Sequence, residues 1–243
     1  MATDNQMSNK VALVTGGGSG LGAAICHTLA SSGIKTIVAD IHLERARQIA
    51  GAIESKGGKA MAVELDVTDF EKIPEKLQEI VNQYGSLDVL INNAGVDLTT
   101  SITEMPIDKW NKIMATNLTG PFVLSKEALK IMENKKGNII NIVSTAAKRS
   151  WANASAYHAS KWGLLGFTHA LHVEGRQMGV KVTAVICGGM RTPFLTDRFP
   201  DIDLSTLQPP ENVAKVIAQI LQMPEESVIP EVMVLPMKET SWP

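Results

Sequence analysis

Short apolar runs alternate with longer amphipathic stretches along the whole chain. The runs VALVTG (11–16), KTIVAD (35–40), AMAVELDV (60–67), LDVLINNAG (87–95), GNIINIVS (137–144) and VKVTAVI (180–186) read as strands. Their near-continuous apolar character suits strands buried on both faces, as in a parallel sheet covered by helices. Between them, stretches such as LERARQIAGAIESK and FEKIPEKLQEIVNQYG repeat apolar residues at helical intervals. A last helical stretch, ENVAKVIAQILQM, leads into a final strand, EVMVLP. This β-α-β-α order predicts an α/β fold, a doubly wound, mostly parallel seven-stranded sheet with helices on both faces. No polar, low-complexity linker divides the pattern, so residues 1–243 read as a single Rossmann domain. The least regular part, 192–210, is rich in Pro, Asp and Ser and is expected to serve as a substrate loop.

Composition changes this picture little. Hydrophobic residues make up 44% and charged residues 20%, a globular balance, and the net charge of −2 gives no reason to expect nucleic acid or an anionic membrane as partner. No apolar run reaches membrane-spanning length, and the polar N-terminus lacks a signal-peptide core. Two cysteines, Cys26 and Cys187, are too few for a disulfide framework, and a reduced cytoplasmic setting fits. No metal site is expected: Cys and His lack ligand spacing, and His158, His169 and His172 have no further ligands in sight.

After the first strand comes TGGGSGLGAAICHTLASSG, with glycines at the turn from strand to helix. Glycine lets backbone approach a ligand closely, and the following helix turns free N–H groups and a positive dipole end toward an anion. A general dinucleotide fingerprint fits as Gly18, Gly20 and Ala23; the tighter pattern T-G-x-x-x-G-x-G fits as Thr15, Gly16, Gly20 and Gly22. Asp40 ends the second strand, where an acid can accept from both ribose hydroxyls of NAD and would repel the 2′-phosphate of NADP. Neither Ser19 nor Ile41 supplies an Arg for that phosphate, so NAD is expected over NADP.

Tyr157 and Lys161 stand at i and i+4 in SAYHASKWG and share a helix face. A nearby ammonium favours phenolate, which is what a proton-transfer tyrosine requires near neutral pH. Ser144, at the end of the fifth run, lies shortly upstream.

The motifs TGGGSGLG, LDV (65–67), NNAG (92–95), Asn117 within MATNLTG, Ser144, YHASK and GGMRT (188–192) occur in one order. In that order the chain resembles the short-chain dehydrogenase/reductase (SDR) family over nearly its whole length. The resemblance implies an NAD(P)-dependent oxidoreductase acting on CH–OH groups. In it Tyr157 exchanges a proton with the substrate oxygen, Ser144 hydrogen-bonds that oxygen, and Lys161 holds the nicotinamide ribose and lowers the tyrosine pKa. Asn117 would position a water connecting Lys161 to solvent. Thr15, Gly16, Ser19, Gly20, Leu21 and Gly22 would cradle the phosphates. Asp66 and Val67 would face adenine, Asn93, Ala94 and Gly95 the adenosine side, and Gly188 and Thr192 the nicotinamide end. The substrate, a small alcohol or carbonyl compound, would lie among 192–210, residues near Val96 to Thr103, and Ala146 to Trp151. A homo-oligomer, dimer or tetramer, is implied, with interfaces on the helices around Asn117 and Tyr157.

Cys187 replaces the proline usual in the family before Gly188. It reads either as a small apolar filler or as an oxidation-sensitive thiol. Trp151 and Trp162 are each either packing residues or cavity walls, and Trp242 either an interface or a frayed end. Two rival functions follow from the same residues. An NADPH-dependent 3-oxoacyl-thioester reductase, acting on acyl-carrier protein or CoA esters, is opposed by Asp40. A catalytically silent nucleotide sensor is opposed by the intact set of Asn117, Ser144, Tyr157 and Lys161.

Overall fold

Strand β1 (Val11–Thr15) turns Val11 and Leu13 to one side of the sheet and Ala12 and Val14 to the other, and all four are buried. A strand that buries both faces requires helices on both, which the order of elements supplies. The computed structural model describes residues 7–8 and 10–238; Trp242 lies outside them. Within that span, α1 (Gly20–Ser31), α2 (Leu43–Glu54) and α8 (Pro210–Leu221) cover one face, through Ile25, Leu29, Ile53 and Ile217. Helices α3 (Ile73–Tyr84), α5 (Gly120–Met132) and α6 (Ser155–Gln177) cover the other, through Leu77, Ile80, Leu124 and Leu171.

The sheet also contains β2 (Lys35–Asp40), β3 (Ala60–Glu64), β4 (Val89–Asn92), β5 (Asn138–Ser144), β6 (Lys181–Cys187) and β7 (Glu231–Val234). Its order is β3-β2-β1-β4-β5-β6-β7, and every pairing is parallel. The order reverses between β1 and β4, and the crevice beyond the carboxyl ends of those strands is where open α/β sheets take ligands.

Strands β3 and β4 end well before their apolar runs do. β3 stops at Glu64: after a last ladder bond from Leu65 N to the Asp40 carbonyl, Asp66 Oδ1 accepts from Thr68 N at 2.8 Å and closes a turn. β4 stops at Asn92, because the Thr15 hydroxyl takes the N–H groups of Asn93 (3.0 Å) and Ala94 (3.1 Å). Helix α4 (Ile107–Met114) runs into α5 through a π-helical turn, Ala115–Thr119, which carries Asn117. Such turns interrupt the regular ladder and recur at functional sites. The irregular segment 192–210 contains a short helix, α7 (Pro193–Thr196), and a 3₁₀ turn, Leu204–Thr206. Among the described residues no helix is long and apolar enough to cross a membrane.

Candidate active site

One cavity of about 1360 Å³ opens at the carboxyl ends of the strands. It brings together Gly16, Ser19, Gly20, Leu21, Asp40, Asp66, Val67, Asn93, Ala94, Gly95, Ser144, Tyr157, Lys161, Gly188 and Thr192. Three of the expected residues, Thr15, Gly22 and Asn117, lie behind its wall and support it.

At the cradle end, α1 begins at Gly20 after an extended Ser19 whose side chain makes no capping bond. Gly20 has φ of +51°, a left-handed turn that side-chain-bearing residues rarely adopt. At Gly22 the requirement is closeness: a Cβ there would meet the Gly16 carbonyl oxygen at 2.1 Å. That contact belongs to the tighter glycine pattern. Asn93 braces the same loop, its amide donating to the Thr15 carbonyl at 2.9 Å and the Gly16 carbonyl at 3.1 Å. Asp40 Oδ2 accepts from Gly18 N at 3.0 Å and Oδ1 from His42 N at 2.9 Å, which fixes the carboxylate at the end of β2. Arg45 lines the same corner, a cation that attention to Ser19 and Ile41 missed. It stands four residues after Ile41, in the first turn of α2.

At the other end, Ser144 leaves β5 and caps a 3₁₀ turn (Thr145–Ala147), its hydroxyl accepting from Ala146 N at 3.2 Å. The Ser144 hydroxyl lies near enough to the Tyr157 phenol to pull its pKa down. His158, next to that tyrosine, holds the geometry from behind. The Ala146 carbonyl lies 2.8 Å from its Nδ1, and Trp151 N donates to its Nε2 at 3.1 Å. A carbonyl needs a donor at Nδ1 and an amide needs an acceptor at Nε2, which fixes the tautomer. The turn after Ser144 is thereby tied to the helix of Tyr157.

Lys161 Nζ donates to the Ile142 carbonyl at 2.8 Å and lies 5.8 Å from the centre of the Tyr157 ring. Burial lowers its ammonium to about 8, against the opposing pull of Cys187 and Asp97. Burial likewise pushes the Tyr157 phenol above its ordinary value; the Ser144 hydroxyl opposes that rise and Asp97 adds to it. In the protein alone, desolvation therefore outweighs the lowering expected from a lysine four residues on. Asn117 is fully buried, with Oδ1 accepting from Val96 N at 2.8 Å and Nδ2 donating to the Val96 carbonyl at 2.8 Å and to Ser160 Oγ at 3.0 Å. It clamps the backbone just after NNAG.

The expected substrate walls are present in part. Val96, Asp97 and Thr99 line the cavity, as do Trp151, Phe194, Leu195 and Phe199, whereas Ala146 and Ala147 are buried behind it. Trp162 is half-exposed on α6 and is not part of the wall. Cys187 lines the cavity but burial pushes its thiol up to about 12, so it stays protonated and acts as a small apolar wall. His169 pairs with Glu231 at 2.9 Å, and His172 Nδ1 lies 3.1 Å from the Val182 carbonyl. Among the described residues no three His, Cys, Asp or Glu side chains are grouped to hold a metal. The sequence reasoning did not single out Asp97, Arg198 or Phe194, which meet beside Tyr157. The only local trace of them is the spacing of Phe194 and Arg198, one helical turn apart.

A family model described as short chain dehydrogenase matches residues 10–203. A short chain dehydrogenase/reductase of Colletotrichum higginsianum, dpchG, is 35% identical over 80% of this chain and 74% of its own length. A cyclohexanol dehydrogenase of an Acinetobacter species is 33% identical over 89% of each chain. Among solved structures, a metagenomic short-chain oxidoreductase in complex with NADP superposes with a TM-score of 0.85 at 32% identity, covering 95% of this chain and 98% of that one. With the fold, the glycine cradle and the Ser144–Tyr157 pair in place, these matches show that the chain belongs to the short-chain dehydrogenase family, oxidoreductases that act on alcohol or carbonyl groups.

Proposed function

We propose that this protein is an NAD-dependent dehydrogenase that interconverts a secondary alcohol and its ketone, with Tyr157 as the acid/base. The observation that carries the reading is the Ser144–Tyr157 hydroxyl pair, set in the same cavity as the glycine cradle and Asp40. The cradle fits a dinucleotide. A Cβ at Gly18 would come within 2.8 Å of Asp40 Oδ2, and the helix start at Gly20 presents uncapped N–H groups at the cavity. Asp66 fits the adenine end, since the turn with Thr68 uses Oδ1 and leaves Oδ2 for a donor. Bound NAD would supply the hydride acceptor and, reduced, the hydride donor.

The chain's own groups handle the proton. In reduction the Tyr157 phenol gives its proton to the carbonyl oxygen, and the Ser144 hydroxyl donates to the same oxygen as negative charge develops there. The phenol that burial keeps protonated is the form this step consumes. The Lys161 ammonium offsets the phenolate left behind and would also hold the nicotinamide ribose. Asn117 fixes the loop that carries Gly95 and Val96. A Cβ on Gly95 would stand 3.5 Å from Asn117 Oδ1 and 3.9 Å from Lys161 Nζ, so both groups border one space through which a water could return the proton. Oxidation runs the same steps in reverse.

Two observations favour a second reading of the cofactor. Arg45 stands at the ribose corner, and the metagenomic relative was solved with NADP. We retain NAD because the Asp40 carboxylate is held in that corner by two backbone donors. The cyclohexanol dehydrogenase relative supports an alcohol rather than an acyl thioester. A silent sensor would have no use for the paired hydroxyls. Exposed Phe122, Trp162 and Val173 on α5 and α6 support a homo-oligomer that covers those helices.

The test is a screen of secondary alcohols and ketones with each cofactor, followed by the absorbance of the reduced nicotinamide. Tyr157→Phe should lower turnover of the best substrate by about a thousandfold while NAD affinity changes little. A wild-type rate in that variant refutes the assignment.

A further inference from the structure

We propose that the Asp97–Arg198 ion pair sets the charge class of the substrate: Asp97 occupies Arg198, so the cavity accepts uncharged alcohols and ketones and turns away those bearing a carboxylate. The inference rests on the alcohol–ketone reading above and narrows it to a substrate class.

The two residues both line the cavity and come from segments 101 residues apart in the chain. Asp97 follows the NNAG turn after β4, and Arg198 follows α7 in the irregular segment; Arg198 Nη1 donates to Asp97 Oδ2. The side chains are 6% and 22% exposed, so this is a largely desolvated pair rather than a surface one. Asp97 Oδ1 accepts from Leu98 N at 2.7 Å. Arg198 Nε donates to the Phe194 carbonyl at 2.8 Å, and its guanidinium carbon lies 4.2 Å from the centre of the Phe194 ring. That ring is in turn 5.9 Å from the Tyr157 ring. A charged pair thus stands one aromatic ring away from the proposed acid/base, against walls supplied by Phe199, Leu195 and Ile202.

A guanidinium with planar paired donors, stacked on an aromatic ring in an apolar wall, is what binds a carboxylate well. Here an internal carboxylate already fills that role. A substrate carboxylate could reach Arg198 only by displacing Asp97, which would leave an acid buried without its partner. Breaking a buried pair in this way is strongly unfavourable, whereas an uncharged substrate leaves the pair intact. Burial pushes the Asp97 carboxyl upward and Arg198 is the main group opposing that rise, consistent with mutual dependence. Specificity is a difference between two affinities, and the pair acts on the one for the charged competitor.

The experiment compares cyclohexanone with 4-oxocyclohexanecarboxylate as substrates, and titrates benzoate by calorimetry in the presence of the cofactor. In Asp97→Asn, kcat/KM for the acid relative to the ketone should rise at least about tenfold, and benzoate should bind about tenfold tighter. The double variant Asp97→Asn/Arg198→Gln should lose both gains. Unchanged benzoate affinity in Asp97→Asn, or a gain that survives removal of Arg198, overturns the proposal. Should Asp97→Asn lose its cooperative thermal transition, Asp97→Ser, which can still accept from Leu98 N, is judged by the same two readouts. If the wild type turns over neither substrate, the benzoate titration alone judges the ion pair by the same outcomes, and the alcohol–ketone reading stands or falls on the wider screen.

Discussion

Asp40→Ala puts the ribose corner to a quantitative test. In the structure the carboxylate accepts from Gly18 N at 3.0 Å and His42 N at 2.9 Å, and the residue is 8% exposed. Alanine removes the acceptor but leaves both N–H groups at the rim of an open cavity, where water can take them. The cost to the fold should be about 1 kcal/mol, seen as a fall in Tm of about 2–4 °C. The cost to NAD is larger. A charged hydrogen bond from a ribose hydroxyl is worth about 1.5–3 kcal/mol, so losing one raises the Kd for NAD by about 10- to 100-fold. NADP moves the other way. A phosphate of charge about −2 placed about 6 Å from the carboxylate meets repulsion of order 5 kcal/mol at an effective dielectric constant near 20. Alanine abolishes that term. Arg45 then becomes an unopposed cation at the same corner, its Cβ lying 2.7 Å from where a Cβ on Gly18 would stand and Asp40 Oδ2 2.8 Å from that same point.

The ratio of kcat/KM for NAD over NADP should therefore fall by about a thousandfold or more. Initial rates with one saturating alcohol and each cofactor varied, together with calorimetric Kd values, measure it. Adding Arg45→Ala should take back about tenfold of the NADP gain. An unchanged cofactor ratio in Asp40→Ala, with the Tm within the stated range, would falsify the ribose contact.

Burial lowers the Lys161 ammonium to about 8, so the Tyr157–Lys161 pair loses its first proton there. Alcohol oxidation, which needs the pair to accept a proton, should rise with pH through that value. Ketone reduction, which needs a phenol beside a positive lysine, should fall over the same interval. Flat profiles in both directions, with a deuterium isotope effect showing that chemistry limits the rate, would contradict this. Gly22→Ala should lower stability by about 1–3 kcal/mol and weaken the cofactor, because the new Cβ meets the Gly16 carbonyl oxygen at 2.1 Å. Gly51→Ala, with nothing within 4 Å of its Cβ inside α2, should raise stability by about 0.5–1 kcal/mol. Thermal unfolding of the two variants side by side checks the contrast, and equal shifts would refute it.

What could be read from the chain divides by the range of the force involved. The strands were legible because burial on both faces leaves a continuous apolar run, and β2 runs over Lys35–Asp40 as its pattern implies. The end of β4 was not, because the group that stops it is the hydroxyl of Thr15, 78 residues upstream of Asn93. The glycine spacing was legible, since each position answers to the local turn. The residues of the Ser144–Tyr157–Lys161 cluster were legible as well, through their spacing and the family resemblance. The electrostatics of that cluster were not. A lysine four residues from a tyrosine predicts a lowered phenol, yet the phenol rises, because its burial depends on elements remote in the chain. Arg198 and Asp97 are 101 residues apart, and neither stands in a motif that names the other.

The position of Lys161 and Tyr157 depends in turn on polar residues that periodicity reads as ordinary core. Asn92 on β4 and Asn141 on β5 are register partners, and the Asn92 amide donates to Asn141 Oδ1 at 2.8 Å and to Ser125 Oγ on α5 at 3.1 Å. Asn141 then donates to Thr168 Oγ1 on α6 at 2.8 Å, and Thr168 donates to the Leu164 carbonyl at 2.6 Å. Apolar side chains in these places would bury as much surface but would tolerate a rotation or slip of α6 against the sheet. Directional bonds to a side chain two turns beyond Lys161 do not. The same rotation would break the Lys161 bond to the Ile142 carbonyl and carry the Tyr157 phenol away from Ser144. The buried amides therefore help fix the angle at which α6 presents its lysine and its phenol.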